Sequence, residues 1–108
     1  MESFDTEGFS TRFSASVKGF DVSDYMSAKD ARKMDTFIHL GVAAGIQALD
    51  DAGLSAENYN PERIGVAIGS GIGGLPNIEV QHGNLLKSGP RKISPFFVPS
   101  TILSLIHI

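Results

Sequence analysis

Between Met34 and Ala52 the apolar and small positions recur at spacings of three and four: Met34, Ile38, Gly41, Val42, Gly45, Leu49 and Ala52, with Phe37, Ala44 and Ala48 widening the stripe. That period is the turn of an α-helix, and it predicts one from Asp35 to Ala52, ended by Gly53 in the left-handed conformation. The breadth of the stripe predicts burial on more than one side, and the small residues Gly41, Ala43, Ala44 and Gly45 predict close approach by a neighbour. After a polar turn over residues 55–63 containing Pro61, the pattern changes to a continuous apolar run, Ile64-Gly65-Val66-Ala67-Ile68. Continuous rather than alternating hydrophobicity predicts a short strand covered on both faces, as in a parallel α/β sheet. One long buried helix leading into one buried strand is half of a crossover unit. No second run of this kind occurs before residue 100, so the predicted fold class is α/β but incomplete, with the rest of the sheet supplied by sequence that is not present.

The flanking regions are less periodic. Residues 1–26 scatter Phe4, Phe9, Phe13, Phe20 and Tyr25 among Ser, Thr, Asp and Gly, which predicts an irregular segment pinned by aromatic anchors, with room for a short strand from Phe13 to Val17. Ser27 stands three residues before Asp30, a weak helix-start signal, since a capping box prefers Glu or Gln at that spacing. Residues 69–101 read as a long Gly/Pro-rich connection, punctuated by Gly89-Pro90, Ser94-Pro95 and Val98-Pro99, with a helical stretch around Asn77 to Lys87. Connections of that length are usually functional or ordered by a partner surface.

Composition narrows the classes. A chain of 108 residues, 42% hydrophobic and 19% charged, fits one small globular domain and not a disordered segment. No apolar run approaches the roughly 20 residues of a membrane span, and residues 1–5 lack the basic and apolar regions of a signal peptide, so a cytoplasmic location is expected. There is no cysteine, and His39, His82 and His107 are far apart, which argues against a disulfide framework or a metal site. All twelve acidic groups lie in residues 1–79 with six basic ones, whereas residues 80–108 hold only Lys87, Arg91 and Lys92. An acidic chain of this kind argues against nucleic acid as a partner.

Gly69-Ser70-Gly71-Ile72-Gly73-Gly74 follows the predicted strand and formally satisfies G-x-G-x-x-G. The dinucleotide fingerprint should open a helix and be followed about 20 residues later by an acidic residue. Here Pro76 interrupts early and no acidic residue follows Glu79, so a tight turn whose glycines admit positive φ and close packing is the stronger reading of these residues alone.

A third reading takes in the neighbouring motifs. The run Arg63 to Gly74, the later run Gly89-Pro90-Arg91-Lys92-Ile93-Ser94-Pro95-Phe96-Phe97-Val98-Pro99-Ser100-Thr101, and Arg32-Lys33-Met34-Asp35 ahead of the long helix closely resemble the elongating β-ketoacyl-acyl-carrier-protein synthases of fatty-acid synthesis, the synthase II type. The resemblance runs from about Phe4 to Ile102, with the motifs in the family's order and spacing. It implies a piece of the N-terminal half of a thiolase-like fold, in which two similar α/β halves each carry a mixed sheet, and a homodimeric enzyme. The implied activity is that of an acyltransferase, condensing malonyl-carrier protein with an acyl chain held on a cysteine and releasing carbon dioxide, without a cofactor. By the same resemblance the nucleophilic cysteine, two histidines and a lysine lie beyond this chain, and the family's first strand and helix lie before it, so that Met1 is expected at an internal position. No catalytic residue is expected within the chain.

Two groups of site residues follow. Ile72 is a lone large aliphatic among glycines that already provide the turn. The resemblance implies that it sets the depth of the acyl pocket, and that Phe97 approaches the partner subunit's pocket across the dimer. Ordinary core packing is the alternative for Phe97. Lys29, Arg32 and Lys33 are spaced i, i+3 and i+4, one face if helical. With Arg91 and Lys92 they are expected to form a docking face for acyl-carrier protein, whose acidic helices a basic patch would steer. A solvated helix start is the alternative, although cations there oppose the helix dipole. Rival functions from other classes are a non-catalytic carrier-protein-binding module and a polyketide-type ketosynthase fragment.

The resemblance stops after Thr101-Ile102. Leu103-Ser104-Leu105-Ile106-His107-Ile108 is what CTG TCT CTT ATA CAC ATC encodes, a sequence resembling a transposon-end adapter of sequencing libraries. Residues 1–102 are therefore expected to be the partial synthase domain and 103–108 a translated adapter.

Overall fold

Side-chain caps set the helix boundaries along the first half of the chain. The computed structural model describes residues 5–54 and 58–102; the expected adapter segment, 103–108, lies outside them. Ser27 accepts from the Asp30 amide at 3.1 Å and donates its hydroxyl to the Asp30 carboxylate at 2.6 Å, starting a one-turn helix α1 over Ala28–Ala31. The Asp30 carboxylate thus bonds the Ser27 hydroxyl and not the Ser27 backbone amide that Glu reaches in the usual capping box. Asp35 next caps the long helix α2, Thr36–Asp51, by accepting from the Thr36 amide at 2.6 Å.

At its far end α2 closes as the sequence predicts. Gly53 adopts φ +64°, its amide reaches the Asp50 carbonyl at 3.0 Å and the Leu54 amide reaches Leu49 at 3.1 Å. These are the two bonds of a Schellman ending. Ile38, Gly41 and Ala43 are buried, on more than one side of the axis as expected, but residues 47–51 are exposed, so the helix is buried through its first half only. The expected close backbone approach at Gly45 is not seen: a Cβ there would meet nothing nearer than the Ile68 Cδ1, at 4.0 Å.

The segment expected to be a strand differs. Ile64 is extended, at φ −114° and ψ 125°, but residues 64–68 form no ladder, and among the described residues there is no strand. A strand exists only when a neighbouring backbone takes up its N–H and C=O groups, and no described segment does so. The run instead lies beside α2 across an apolar cavity of about 570 Å³, lined by residues including Val42, Gly45, Leu49, Val66 and Ile68. Phe13 to Val17 is not a strand either: Phe13 is 82% exposed. Of the expected anchors, Phe20 stacks on Tyr25 at 5.8 Å between centroids, and the Tyr25 hydroxyl accepts from Gln47 on α2.

The long connection is mostly helical. Helix α3 spans Leu75–Ser88, a 3₁₀ turn covers Pro90–Lys92, and α4 spans Phe97–Thr101. Of the prolines read as breaks, three fall in first turns, Pro76 at the start of α3, Pro90 opening the 3₁₀ turn and Pro99 in α4, whereas Pro95 lies in the turn ahead of α4, as a break should. A residue in a first turn has no intrahelical N–H partner to lose. Gly89, at φ +79°, ends α3. The 3₁₀ turn and α4 both pack on α3, and Gln81 on α3 accepts from the Ser94 amide at 2.9 Å between them.

Candidate functional site

Three stretches far apart in sequence meet at one carboxylate. Oδ1 of Asp35 caps its own helix, and Oδ2 accepts from the Asn77 amide in the first turn of α3 at 3.1 Å. The start of α3 has no cap from its own N-cap residue, Gly74. Asp35 fills that place from 42 positions away, and a carboxylate there is favoured by the helix dipole. The fit requires glycine: a Cβ on Gly74 would lie 3.0 Å from Asp35 Oδ2 and 3.1 Å from Thr101 Cα. Gly73, at φ +85°, packs its backbone against Thr101 and the Phe37 ring. Asn77 then donates its side-chain amide to Ser100 Oγ on α4, and Ser100 Oγ donates to the Phe97 carbonyl at 2.9 Å. Arg32-Lys33-Met34-Asp35, the glycine run and the Ser94 to Thr101 motif are thus joined through side chains.

This arrangement bears on the rival readings of Gly69 to Gly74. The run does open a helix, contrary to the interruption expected at Pro76. The amide of the first turn that could hold a phosphate is occupied by Asp35, however, which disfavours the dinucleotide reading independently of the missing ribose acid. The tight-turn reading holds at Gly73 and Gly74, where backbone packs close. A Cβ on Gly69 or Gly71 would meet nothing within 4 Å.

A cavity of about 300 Å³, part polar and part apolar, opens beside the junction, lined by residues including Arg32, Lys33, Asp35, Asn77, Gln81 and Phe96. Of the expected docking cations, Arg32 and Lys33 stand at this cavity. Lys29 lies on α1, where Arg32 is the C-cap and donates Nε to the Ala28 carbonyl at 3.1 Å. Arg32 thus sits at the C-cap of α1, where the dipole favours a cation, whereas Lys29 is the second residue of that one-turn helix and Lys33 lies between its C-cap and the N-cap of α2. Lys33 Nζ is 3.5 Å from Asp30 Oδ1 and 5.9 Å from the Phe96 ring centroid. Arg91 and Lys92 are exposed on the 3₁₀ turn packed against α3.

Of the expected acyl-pocket residues, Ile72 is 75% exposed on the glycine turn, and Phe97 is half-buried at the start of α4. Neither lines the two cavities described above. They are carried on segments that touch through Gly73, Gly74 and Thr101. Asp35, Asn77 and Ser100 are the site residues that sequence reasoning missed. An Asp-Thr pair ahead of a helical period is a cap signal for α2, but nothing in the sequence marks its second partner.

A family model described as "Beta-ketoacyl synthase, N-terminal domain" matches residues 6–106. The 3-oxoacyl-(acyl-carrier-protein) synthase 2 of Vibrio cholerae serotype O1 is 65% identical over 106 residues, that of Vibrio harveyi 62% over 106, and that of Coxiella burnetii 46% over 102. These matches cover 98%, 98% and 94% of the chain and 26%, 26% and 25% of the relatives. The chain thus spans about a quarter of the length of the curated relatives it matches. With its three motifs gathered at one junction and a family match along nearly its whole length, the chain belongs to the β-ketoacyl synthase family, in the N-terminal domain.

Proposed function

We propose that this chain is part of a thiolase-like acyltransferase that elongates fatty acids by decarboxylative condensation. A malonyl unit on acyl-carrier protein loses carbon dioxide, and the carbanion attacks the thioester carbonyl of an acyl chain held on the enzyme's cysteine. The thiolate leaves and the elongated 3-oxoacyl group remains on the carrier. The chain contains no cysteine, so it has no nucleophile for the covalent step and serves as scaffold and binding surface. The observation that carries this reading is the 65% identity to a 3-oxoacyl-(acyl-carrier-protein) synthase 2 along 98% of the chain.

Lys29, Arg32, Lys33, Arg91 and Lys92 are the surface for acyl-carrier protein, supported by the exposure of all but the half-buried Lys33 and by the cavity at Arg32 and Lys33. Ile72 and Phe97 line the acyl pocket, completed by the rest of the enzyme and by a second subunit; the exposed aliphatic side chain on the glycine turn supports this for Ile72. The setting is cytoplasmic, in keeping with the absence, among the described residues, of any helix long and apolar enough to cross a membrane.

The test is a chimera: the Vibrio cholerae synthase with its matching segment replaced by residues 6–102 of this chain. It is expected to elongate acyl-carrier-protein substrates with kcat/KM within about tenfold of the parent enzyme. A folded chimera without turnover overturns the reading.

A further inference from the structure

The side chains that join the three motifs have a consequence for selectivity. Asp35 bridges the start of α2 to the first turn of α3, through Thr36 N at 2.6 Å and Asn77 N at 3.1 Å. Ile72 stands only two residues before Gly74, the residue whose missing Cβ lets the carboxylate approach. From Asn77 the bonding continues through Ser100 Oγ to the carbonyl of Phe97, and Gln81 braces Asn77 Oδ1 at 3.4 Å. The turn that carries Ile72 and the helix that carries Phe97 are therefore referenced to a single carboxylate on a third element, while Ile72 itself is 75% exposed and unrestrained by packing.

We propose that Asp35 is a positioning residue that fixes the separation of Ile72 and Phe97, and so the length of acyl chain that the synthase accepts. The inference rests on the reading of Ile72 and Phe97 as pocket residues. Displacing a positioned group by about 1 Å is enough to alter turnover strongly, and here the displaced group is the one that meets the far end of the chain.

The chimera serves again, with three variants. Asp35→Ser retains a good cap for α2 but is too short to reach Asn77. Asp35→Asn keeps one acceptor for Thr36 and turns an N–H₂ toward the Asn77 amide, so it should not rescue. Ser100→Ala breaks the other end of the connection. Each is expected to change the ratio of kcat/KM for long against short acyl donors by about tenfold, while KM for malonyl-carrier protein stays put. A merely structural role would lower all substrates alike. An unchanged ratio in folded Asp35→Ser overturns the proposal; should that variant fail to fold, the ratio in Ser100→Ala decides in the same way. Ile72→Phe separates the two readings: if it shortens the accepted chain and the Asp35 and Ser100 variants change nothing, only this inference falls, and if it has no effect the pocket reading falls and takes this one with it.

Discussion

Lys33 is held from two sides, by Asp30 Oδ1 at 3.5 Å and by the face of Phe96 at 5.9 Å. Its partner is itself tuned. The Ser27 hydroxyl donates to the Asp30 carboxylate and holds its pKa below the ordinary 3.8, against an upward push from desolvation and with smaller help from Lys33 and Lys29. A carboxyl depressed in the folded state stabilises above its unfolded value and loses that contribution as pH falls through the lower, folded one. The start of α1 should therefore withstand mild acid and weaken only below about pH 3.8. Ser27→Ala removes the largest cause, and Asp30 in the chimera should then titrate nearer 3.8 by carboxyl NMR; an unmoved titration would refute the cap as the source. The exposed side of the same turn carries the docking proposal. Charge reversal of Arg32 and Lys33 together should raise KM for carrier-linked substrate about tenfold at low salt, less at high salt, with small thioester analogues nearly unaffected. Equal losses for both substrates would indicate misfolding and remove the support for docking.

Elements differ in how far their own residues decide them. Helix α2 was legible because its period and its stop at Gly53 both lie within the segment and agree. Helix α3 was legible in its middle and hidden at its start, because Pro76 looks like a breaker and the group that caps the helix, Asp35, is remote. The bond from Asn77 to Ser100 was hidden for the same reason: it depends on where α4 lies, not on local pattern. Ile64 to Ile68 presents the opposite case, an apolar run whose strand character depends on backbone partners that no described residue supplies. The Ile64 amide is held by the Pro61 carbonyl at 3.2 Å, but those of residues 65–68 should exchange freely when the chain is by itself, while those in the first half of α2, around Ile38 and Gly41, exchange more slowly. In the chimera these four amides should become protected, if outside strands pair with them, by a factor of about a thousand or more, since each then needs an opening of several kcal/mol. Hydrogen exchange read by mass spectrometry distinguishes the two states: strong protection in both would show that residues 65–68 need no outside strand, and free exchange in both would show that they join no sheet.

At the scale of the whole molecule the balance of surface and interior is that of a part. The radius of gyration is 17.2 Å, where a compact chain of this length would have about 13 Å. The accessible surface is 8521 Å², against about 5800 Å² for a folded monomer of this mass. Among the described residues the buried apolar side chains are Ala31, Ile38 and Ala43, of which Ile38 alone is large. Meanwhile Val66, Ile72, Leu75, Val80, Leu86 and Val98 are exposed, many of them on the segments that adjoin the site. Ordering a residue costs roughly 1.5 kcal/mol against about 25 cal/mol for each Å² of apolar area buried, and three buried side chains are far too few to offset that cost over the chain. Expressed alone, residues 1–108 should accordingly lack a cooperative unfolding transition, bind a hydrophobic dye and aggregate at micromolar concentration. They should also show no condensing activity, for want of a thiol. Calorimetry and a carrier-protein elongation assay on the purified chain test both statements together: a sharp transition in a soluble monomer would mean that the site junction around Asp35 is a self-sufficient core, and any turnover would mean that a nucleophile other than cysteine performs the acyl transfer.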